Sequence, residues 1–195
     1  MNEKAWKERK EHFLKRLEND VKIGRVDSDI IDLLNLINSF ENYYTLSSCS
    51  GRIQLIEGPS FSNRKSLKNF GKFHESIKKE DILKALEKSN GENFWASVQA
   101  PIIHIACKDL NSAYKLLKIA RSIGFKHSGI LAINNDRFVL ELNSSFRIDF
   151  PIKVKGKLLV NFNNLDELVD LLNFYLNKSK KVLNIFKEKI IKLKE

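Results

Sequence analysis

The segment Phe94 to Ala106 lies within the longest stretch of this chain without a charged side chain, and it constrains the fold more than any other. It is too short for the about 20 apolar residues that a bilayer-spanning helix needs. Val98, Ile102, Ile103 and Ile105 give it high β propensity, and Pro101 marks a kink or a sheet edge, so Phe94 to Cys107 is expected as a strand. A strand requires partners. Tyr43 to Glu57 alternates polar and apolar residues around Gly51 and reads as a strand interrupted by a turn or bulge. Lys72 to Ile77, Phe125 to Ile133, Arg137 to Asn143, Phe146 to Ile152 and Lys157 to Val160 are further strand candidates, with a turn at Asn134-Asn135.

Helical spacing brackets this β-rich centre. Trp6, Phe13, Leu14 and Leu17 form one apolar stripe over residues 3–19. A second helix is expected to end near Asn38, with Asp27 or Ser28 as its N-cap. Ile82 to Leu86 centres a third, Leu110 to Ile123 forms a fourth that Gly124 stops, and Asn163 to Lys194 closes the chain as a long basic helix. This order predicts an α+β fold: a mixed, strongly curved β-sheet flanked by helices, with two related strand-helix-strand units suggested. The whole of 1–195 reads as a single domain, with a basic mobile loop at about 58–70.

The formal net charge is +10, and two windows hold all of it. Arg64, Lys65, Lys68, Lys72, Lys78 and Lys79 stand against Glu75 alone. Seven lysines between Lys178 and Lys194 stand against Glu188 and Glu195. Clustered cations of this kind suit a polyanion such as RNA, because each one that meets a phosphate releases counterions. A solvated lysine-rich surface has the same composition. The charged N-terminus gives no signal peptide, and two cysteines without CxxC spacing give neither a disulfide framework nor a zinc site. A reducing cytoplasm, no membrane, no metal and no obligate protein partner are the resulting expectations.

No HExxH, GxSxG, GxxxxGK[ST] or GxGxxG occurs, which leaves zinc proteases, α/β-hydrolases, P-loop and Rossmann dinucleotide enzymes unsupported. The densest polar cluster is Ser47-Ser48-Cys49-Ser50-Gly51-Arg52. Small hydroxyls beside glycine let a ligand approach the backbone, and the Arg52 fork suits a carboxylate or phosphate. A bulge closing a hairpin would use similar residues. Cys49 lacks any visible base that would activate it as a nucleophile. His104 lies within an apolar strand, where a hydrogen-bonded core histidine is the ordinary occupant.

Longer words in the sequence resemble a known family. Gly24-x-Val26-Asp27 and Tyr44-Thr45-x-Ser47-Ser48-Cys49-Ser50-Gly51-Arg52-Ile53 are followed by Ala85-Leu86-x-Lys88 and Gly91. Pro101-x-x-His104-x-x-Cys107, Gly124-Phe125-x-x-Ser128-Gly129-Ile130 and Lys155-Gly156-Lys157-Leu158 come after. In this order they resemble the wybutosine-synthesizing protein 3 family, the tRNA-yW methyltransferases, over nearly the whole chain.

The resemblance implies S-adenosylmethionine-dependent N4-methylation of a wyosine-type base beside the anticodon of tRNA(Phe), on a fold that is not the Rossmann methyltransferase fold. Under it, His104 is the first candidate for a proton acceptor, with Asp149 and Asp27 behind it. Ser47, Ser48, Ser50, Gly51 and Arg52 would hold the cofactor's carboxylate or the substrate's amino-carboxypropyl arm, completed by Ser128 and Gly129. Arg64, Lys65, Lys68 and Lys72 would follow the RNA backbone, as would the C-terminal lysines. Trp95 or Tyr44 would stack on the base. The rival readings are a non-catalytic RNA-binding protein and a cysteine-dependent hydrolase.

Overall fold

A computed structural model of the chain describes residues 2–59, 64–134 and 137–193. In order the elements are α1 (Glu3–Lys22), α2 (Ile31–Asn38), β1 (Tyr43–Cys49), β2 (Arg52–Glu57), β3 (Lys68–Phe73), α3 (Lys79–Lys88), β4 (Phe94–Gln99), β5 (Ile102–Cys107), α4 (Leu110–Ser122), β6 (Gly129–Asn134), β7 (Arg137–Asn143), β8 (Ile148–Val154), β9 (Lys157–Leu158) and α5 (Leu165–Ile191). The α+β expectation holds. The single mixed sheet does not: the strands form two sheets, ordered β1-β5-β7-β6 and β3-β2-β4-β8-β9, and every described pairing is antiparallel.

The cause lies in the two long strand signals, each of which changes sheet midway. Pro101 lacks a ladder N–H, so β4 ends before it and β5 starts after it in the other sheet. Gly51 does the same between β1 and β2, with φ +91, a left-handed backbone that side chains other than glycine's resist. Two compact units result. One comprises residues up to Ser50, Pro101–Ser145 and Lys180 onward; the other comprises Gly51–Ala100 and Phe146–Ser179.

In the first unit the four-stranded sheet carries α1 across Tyr44 and Ala106. Trp6 is buried there with its ring centroid 4.9 Å from that of Tyr44, while Phe13 stacks on Tyr44 at 5.3 Å. Tyr43 points its hydroxyl to the Ser112 carbonyl of α4 at 3.0 Å. Asp109 caps α4 by accepting the Ser112 N–H at 2.6 Å. Asp27 makes no such cap. Its side chain leaves the 3-10 turn Ser28–Ile30 without a cap bond and accepts the Ser50 N–H at 2.7 Å instead.

In the second unit Ile53, Leu55, Phe94, Ala96, Val98 and Ile152 face one way and pack on Ile82 and Ala85 of α3 and on Leu165, Leu168, Leu172 and Leu176 of α5. Each fully buried Leu, Ile, Val or Phe side chain among them contributes about 1.5–3 kcal/mol. Strand alternation then turns Arg52, Gln54, Ser97, Gln99 and Asp149 to the opposite face. The strand expected at Lys72–Ile77 runs instead over Lys68–Phe73, because its hydrogen bonds follow β2, from Glu57 opposite Lys68 to Ile53 opposite Phe73. It therefore takes up part of the expected loop; positions 60–63 of that loop, and Asn135 of the expected turn, lie outside the described residues.

The two units place their strands and helices in different chain orders. The first unit runs strand β5, helix α4, hairpin β6–β7; the second runs hairpin β2–β3, helix α3, strand β4.

Candidate active site

The site in the first unit begins with Asn38 at the end of α2. Its Oδ1 accepts the Thr45 N–H at 2.8 Å, and its Nδ2 donates to Thr45 Oγ1 at 3.0 Å. There β1 slips against β5: Thr45 pairs with Ile105, and the next pair is Ser47 with His104. An unbroken ladder would set Leu46 opposite His104. The bulge puts a hydroxyl there, and Ser47 Oγ lies 2.7 Å from His104 Nδ1. On the other side His104 pairs with Glu141 of β7, and its Nε2 is 2.8 Å from Glu141 Oε2. A carboxylate can only accept, so Nε2 carries a hydrogen, and in the neutral ring Nδ1 accepts from the Ser47 hydroxyl. His104 and Glu141 are 24% and 27% exposed, so this chain of donors ends at Ser47 on an accessible face.

Gly129 of β6 extends the same row, opposite Glu141, and no atom lies within 4 Å of where its Cβ would stand. Ser47 and Ser48 also line a cavity of about 140 Å³ with Arg16, Asp20, Arg25 and Leu46. Arg16 and Arg25 approach the Asp20 carboxylate at 3.6 and 3.7 Å. Ser50 is fully buried, and its hydroxyl has no hydrogen-bond partner among the described residues. Ser128 is buried in a structural setting. Its hydroxyl accepts the Asn143 N–H at 2.9 Å, and its carbonyl accepts Arg121 Nε and Nη2 at 3.1 and 2.7 Å.

The remaining sequence candidates belong to the second unit. Asp149 of β8 lies opposite Ser97, whose hydroxyl donates to Asp149 Oδ1 and accepts from Gln99 Nε2. Arg147 reaches Asp149 Oδ2 through Nε at 3.0 Å and Nη2 at 2.8 Å. Arg52 Nε is buried without a partner among the described residues. Trp95 donates its indole N–H to the Gly58 carbonyl at 3.0 Å.

Of the RNA candidates, Arg64 and Lys65 lie in the 3-10 turn Arg64–Ser66, while Lys68 and Lys72 lie on β3. Lys68 pairs with Glu57 at 3.5 Å. The C-terminal lysines divide: Lys180 and Lys187 turn onto Asp29 and Asp32, the latter pair at 2.8 Å, and the Lys187 hydrogen bond holds the Asp32 carboxyl below the usual range.

The cysteine considered as a nucleophile, Cys49, is half-buried on β1. At the other cysteine, Cys107, burial pushes the thiol up to about 12, with Asp109 adding to the rise. Among the described residues no group of three His, Cys, Asp or Glu side chains could hold a metal ion, and no helix is long and apolar enough to cross a membrane. Reading the sequence alone misses Glu141, Arg147, Ser97 and Gln99. Glu141 meets His104 in the first unit, and Ser97 and Gln99 meet Asp149 and Arg52 in the second, through cross-strand register, which leaves no local signal; Arg147 reaches Asp149 two residues along the chain.

A family model described as methyltransferase TYW3 matches residues 8–192. A protein of Thermococcus sibiricus named tRNA(Phe) 7-((3-amino-3-carboxypropyl)-4-demethylwyosine(37)-N(4))-methyltransferase is 38% identical over 193 residues, covering 99% of this chain and 98% of that protein. A protein of the same name from Methanocaldococcus jannaschii is 35% identical, with 96% of this chain and 98% of that one covered. Among solved structures, the PH1069 protein of Pyrococcus horikoshii is 36% identical and superposes with a TM-score of 0.90 over 96% of this chain and 97% of its own. A match along nearly the full length, in sequence and in backbone alike, means that the chain belongs to the methyltransferase TYW3 family.

Proposed function

We propose that this protein methylates N4 of the 4-demethylwyosine-type base, carrying a 3-amino-3-carboxypropyl arm, at position 37 of tRNA(Phe), with S-adenosylmethionine as donor. The family and the activity for which its relatives are named support the reaction. The observation that carries the mechanism is the hydrogen-bonded row Ser47, His104, Glu141.

S-adenosylmethionine, when bound, supplies a methyl group on a sulfonium sulfur that is electrophilic without further activation. The protein's own contribution is then placement and removal of one proton. As N4 gains the methyl group its N–H proton must leave. Ser47 Oγ can accept it while its own proton passes to His104 Nδ1, and the Glu141 carboxylate stabilises the imidazolium that forms.

Ser50 supports the fit of a polar ligand in the first unit, because a buried hydroxyl without a partner costs about 1–3 kcal/mol unless something bonds to it. Ser47, Ser48 and Gly129 are read as the donor-facing residues beside it. Ser128 supports them through the backbone of the turn before β6.

The fold is read as curved and non-Rossmann. Four interruptions of register support curvature, and the antiparallel pairing of every described strand is unlike the parallel sheet of a doubly wound fold. The two units are read as one functional domain, since the chain passes between them at Ser50, Ala100, Ser145 and Ser179 and no single cut separates them. A tRNA substrate supports a cytoplasmic location.

The test is direct. Purified protein, S-adenosylmethionine and tRNA(Phe) bearing the demethylated base are incubated, and the nucleoside is weighed by mass spectrometry. Gain of one methyl group is expected. Tight binding of the RNA with no methyl gained overturns the reading in favour of a non-catalytic RNA-binding protein.

A further inference from the structure

The β8–β9 hairpin at one edge of the five-stranded sheet carries Lys155-Gly156-Lys157-Leu158, a word to which the proton-transfer row gives no task. Val154 pairs with Lys157 across it, so Lys155 and Gly156 are the two turn residues, with φ 49 and 75. A turn this tight needs positive φ at both, and asparagine, aspartate or glycine is the ordinary first residue. Among the described residues Lys155 is the one non-glycine residue in that left-handed region. Its surroundings hold it there: the Lys155 N–H donates to Asn93 Oδ1 and the Gly156 N–H to the Glu92 carbonyl, both at 2.9 Å. A strained position fixed by such bonds is a recurrent mark of a working side chain. Lys155 and Lys157 are both exposed, and among the described residues neither forms an ion pair. Leu83 and Leu86 of α3 join Leu158 and Phe162 around a cavity of about 400 Å³, which Glu87 and Lys153 also line. Phe162 stays 50% exposed there, and no atom lies within 4 Å of where a Gly156 Cβ would stand.

We propose that this hairpin and cavity hold one unstacked nucleotide of the tRNA, its base against Phe162 and its flanking phosphates on Lys155 and Lys157. Cations without carboxylate partners beside an exposed aromatic ring are the combination that binds single-stranded RNA. The volume is at the small end of ligand pockets, roughly 300–1,000 Å³, and suits a single base. Glu87, which has no ion-pair partner among the described residues, can accept from the N–H groups of a base. The same carboxylate repels an acidic peptide, the other polyanion that a lysine-bearing rim would attract. The proposal rests on the reading of tRNA as substrate, and it adds to that reading a contact made by the second unit.

The experiment measures binding of tRNA(Phe) to the full-length protein over a salt series, for wild type, Phe162→Ala, Phe162→Trp, and Lys155→Asn combined with Lys157→Gln. Phe162→Ala should weaken binding about tenfold at every salt concentration, the effect of losing one base stacked on a ring, without changing the slope of log affinity against log salt. Phe162→Trp should restore the affinity. The lysine double variant should flatten the slope by about 0.7 for each single-strand phosphate no longer neutralised. Asparagine suits the turn better than lysine, so Lys155→Asn alone should raise the thermal midpoint, which separates a lost contact from a lost fold.

Unchanged affinity in Phe162→Ala, a loss that Phe162→Trp leaves unrestored, or an unchanged slope in the lysine variant overturns the proposal. So does a wild-type dimer, seen by sedimentation, that Phe162→Ala dissociates with tRNA affinity intact, because the cavity then receives a second copy of the chain. Mass spectrometry of wild-type protein incubated with S-adenosylmethionine and the demethylated tRNA separates the two readings. Methyl gained while the variants bind like wild type removes the nucleotide site and keeps the methyltransferase; weakened variants with no methyl gained by wild type do the reverse.

Discussion

Ser47 and His104 meet at 2.7 Å because β1 slips by one residue just before them, and the slip sits where Asn38 takes the Thr45 N–H out of the ladder. His104 is engaged at both ring nitrogens, so its freedom to take a proton depends on Ser47 outward and Glu141 inward. His104→Ala should lower kcat roughly 10²–10⁴-fold, the usual worth of a positioned base. Glu141→Gln keeps the shape and removes the charge that stabilises the imidazolium, so it should lower kcat at least about tenfold with KM little changed. Steady-state kinetics on modified tRNA(Phe) checks both, with circular dichroism confirming the fold. A loss that falls on KM alone would make the row a binding element.

Asn38 tests the bulge from a distance. It is buried, touches Thr45 with both ends of its amide, and lies nowhere on the exposed row. Asn38→Ala leaves the Thr45 N–H without its acceptor and should cost about 1–3 kcal/mol in urea unfolding. It should also lower kcat, because the register that presents Ser47 loses its anchor. Stability lost with kcat unchanged would show that the bulge holds without Asn38.

Glu57 is buried at the end of β2, where burial alone would raise its carboxyl. The Gly91 N–H at 2.7 Å, the Ser89 hydroxyl at 2.9 Å and Lys68 outweigh that and hold it below the ordinary carboxylate range. A carboxyl depressed in the folded state stabilises the protein above its unfolded pKa, and that contribution is lost as pH falls through the folded value. Glu57→Gln should therefore be less stable than wild type by about 1–3 kcal/mol at pH 7, with the gap closing in acid. Gly91→Ala should unfold even more readily, since its Cβ would come within 2.4 Å of the Glu57 side chain. Paired denaturation curves at pH 7 and pH 3 measure this; a gap constant with pH would contradict it.

The chemistry-bearing words were legible in the sequence wherever their meaning is local. Ser47 to Arg52 stood out as polar residues in a β setting, and the α+β class followed from periodicity. What escaped was long-range. Alternation along β1 sets Ser48 with Tyr44 and Leu46 on one side, and only the bulge anchored by Asn38 exchanges Leu46 for Ser47 at His104. Glu141 is a charged residue in a strand of ordinary composition until β7 pairs with β5. Pro101 and Gly51 read as kinks within strands, although each marks a change of sheet, because sequence gives the interruption and not the partner on its far side.

The basic surface yields the last expectation, and here the ion pairs decide which lysines count. Lys180 and Lys187 face Asp29 and Asp32, so a phosphate would have to displace a carboxylate from each. Lys68 is 76% exposed, and Glu57, its carboxylate partner among the described residues, keeps two uncharged donors when Lys68 is neutralised. Lys65 lies exposed on the turn just before β3. Neutralising Lys65 and Lys68 together, as Lys65→Gln with Lys68→Gln, should weaken tRNA(Phe) binding and flatten the plot of log affinity against log salt by about one unit for each phosphate no longer neutralised. Lys180→Gln with Lys187→Gln, an equal reduction of formal charge, should leave that slope nearly unchanged. Filter binding of tRNA(Phe) across a salt series compares the two double variants directly. Equal flattening by both would mean that net charge, and not the β3 segment, governs the encounter with RNA.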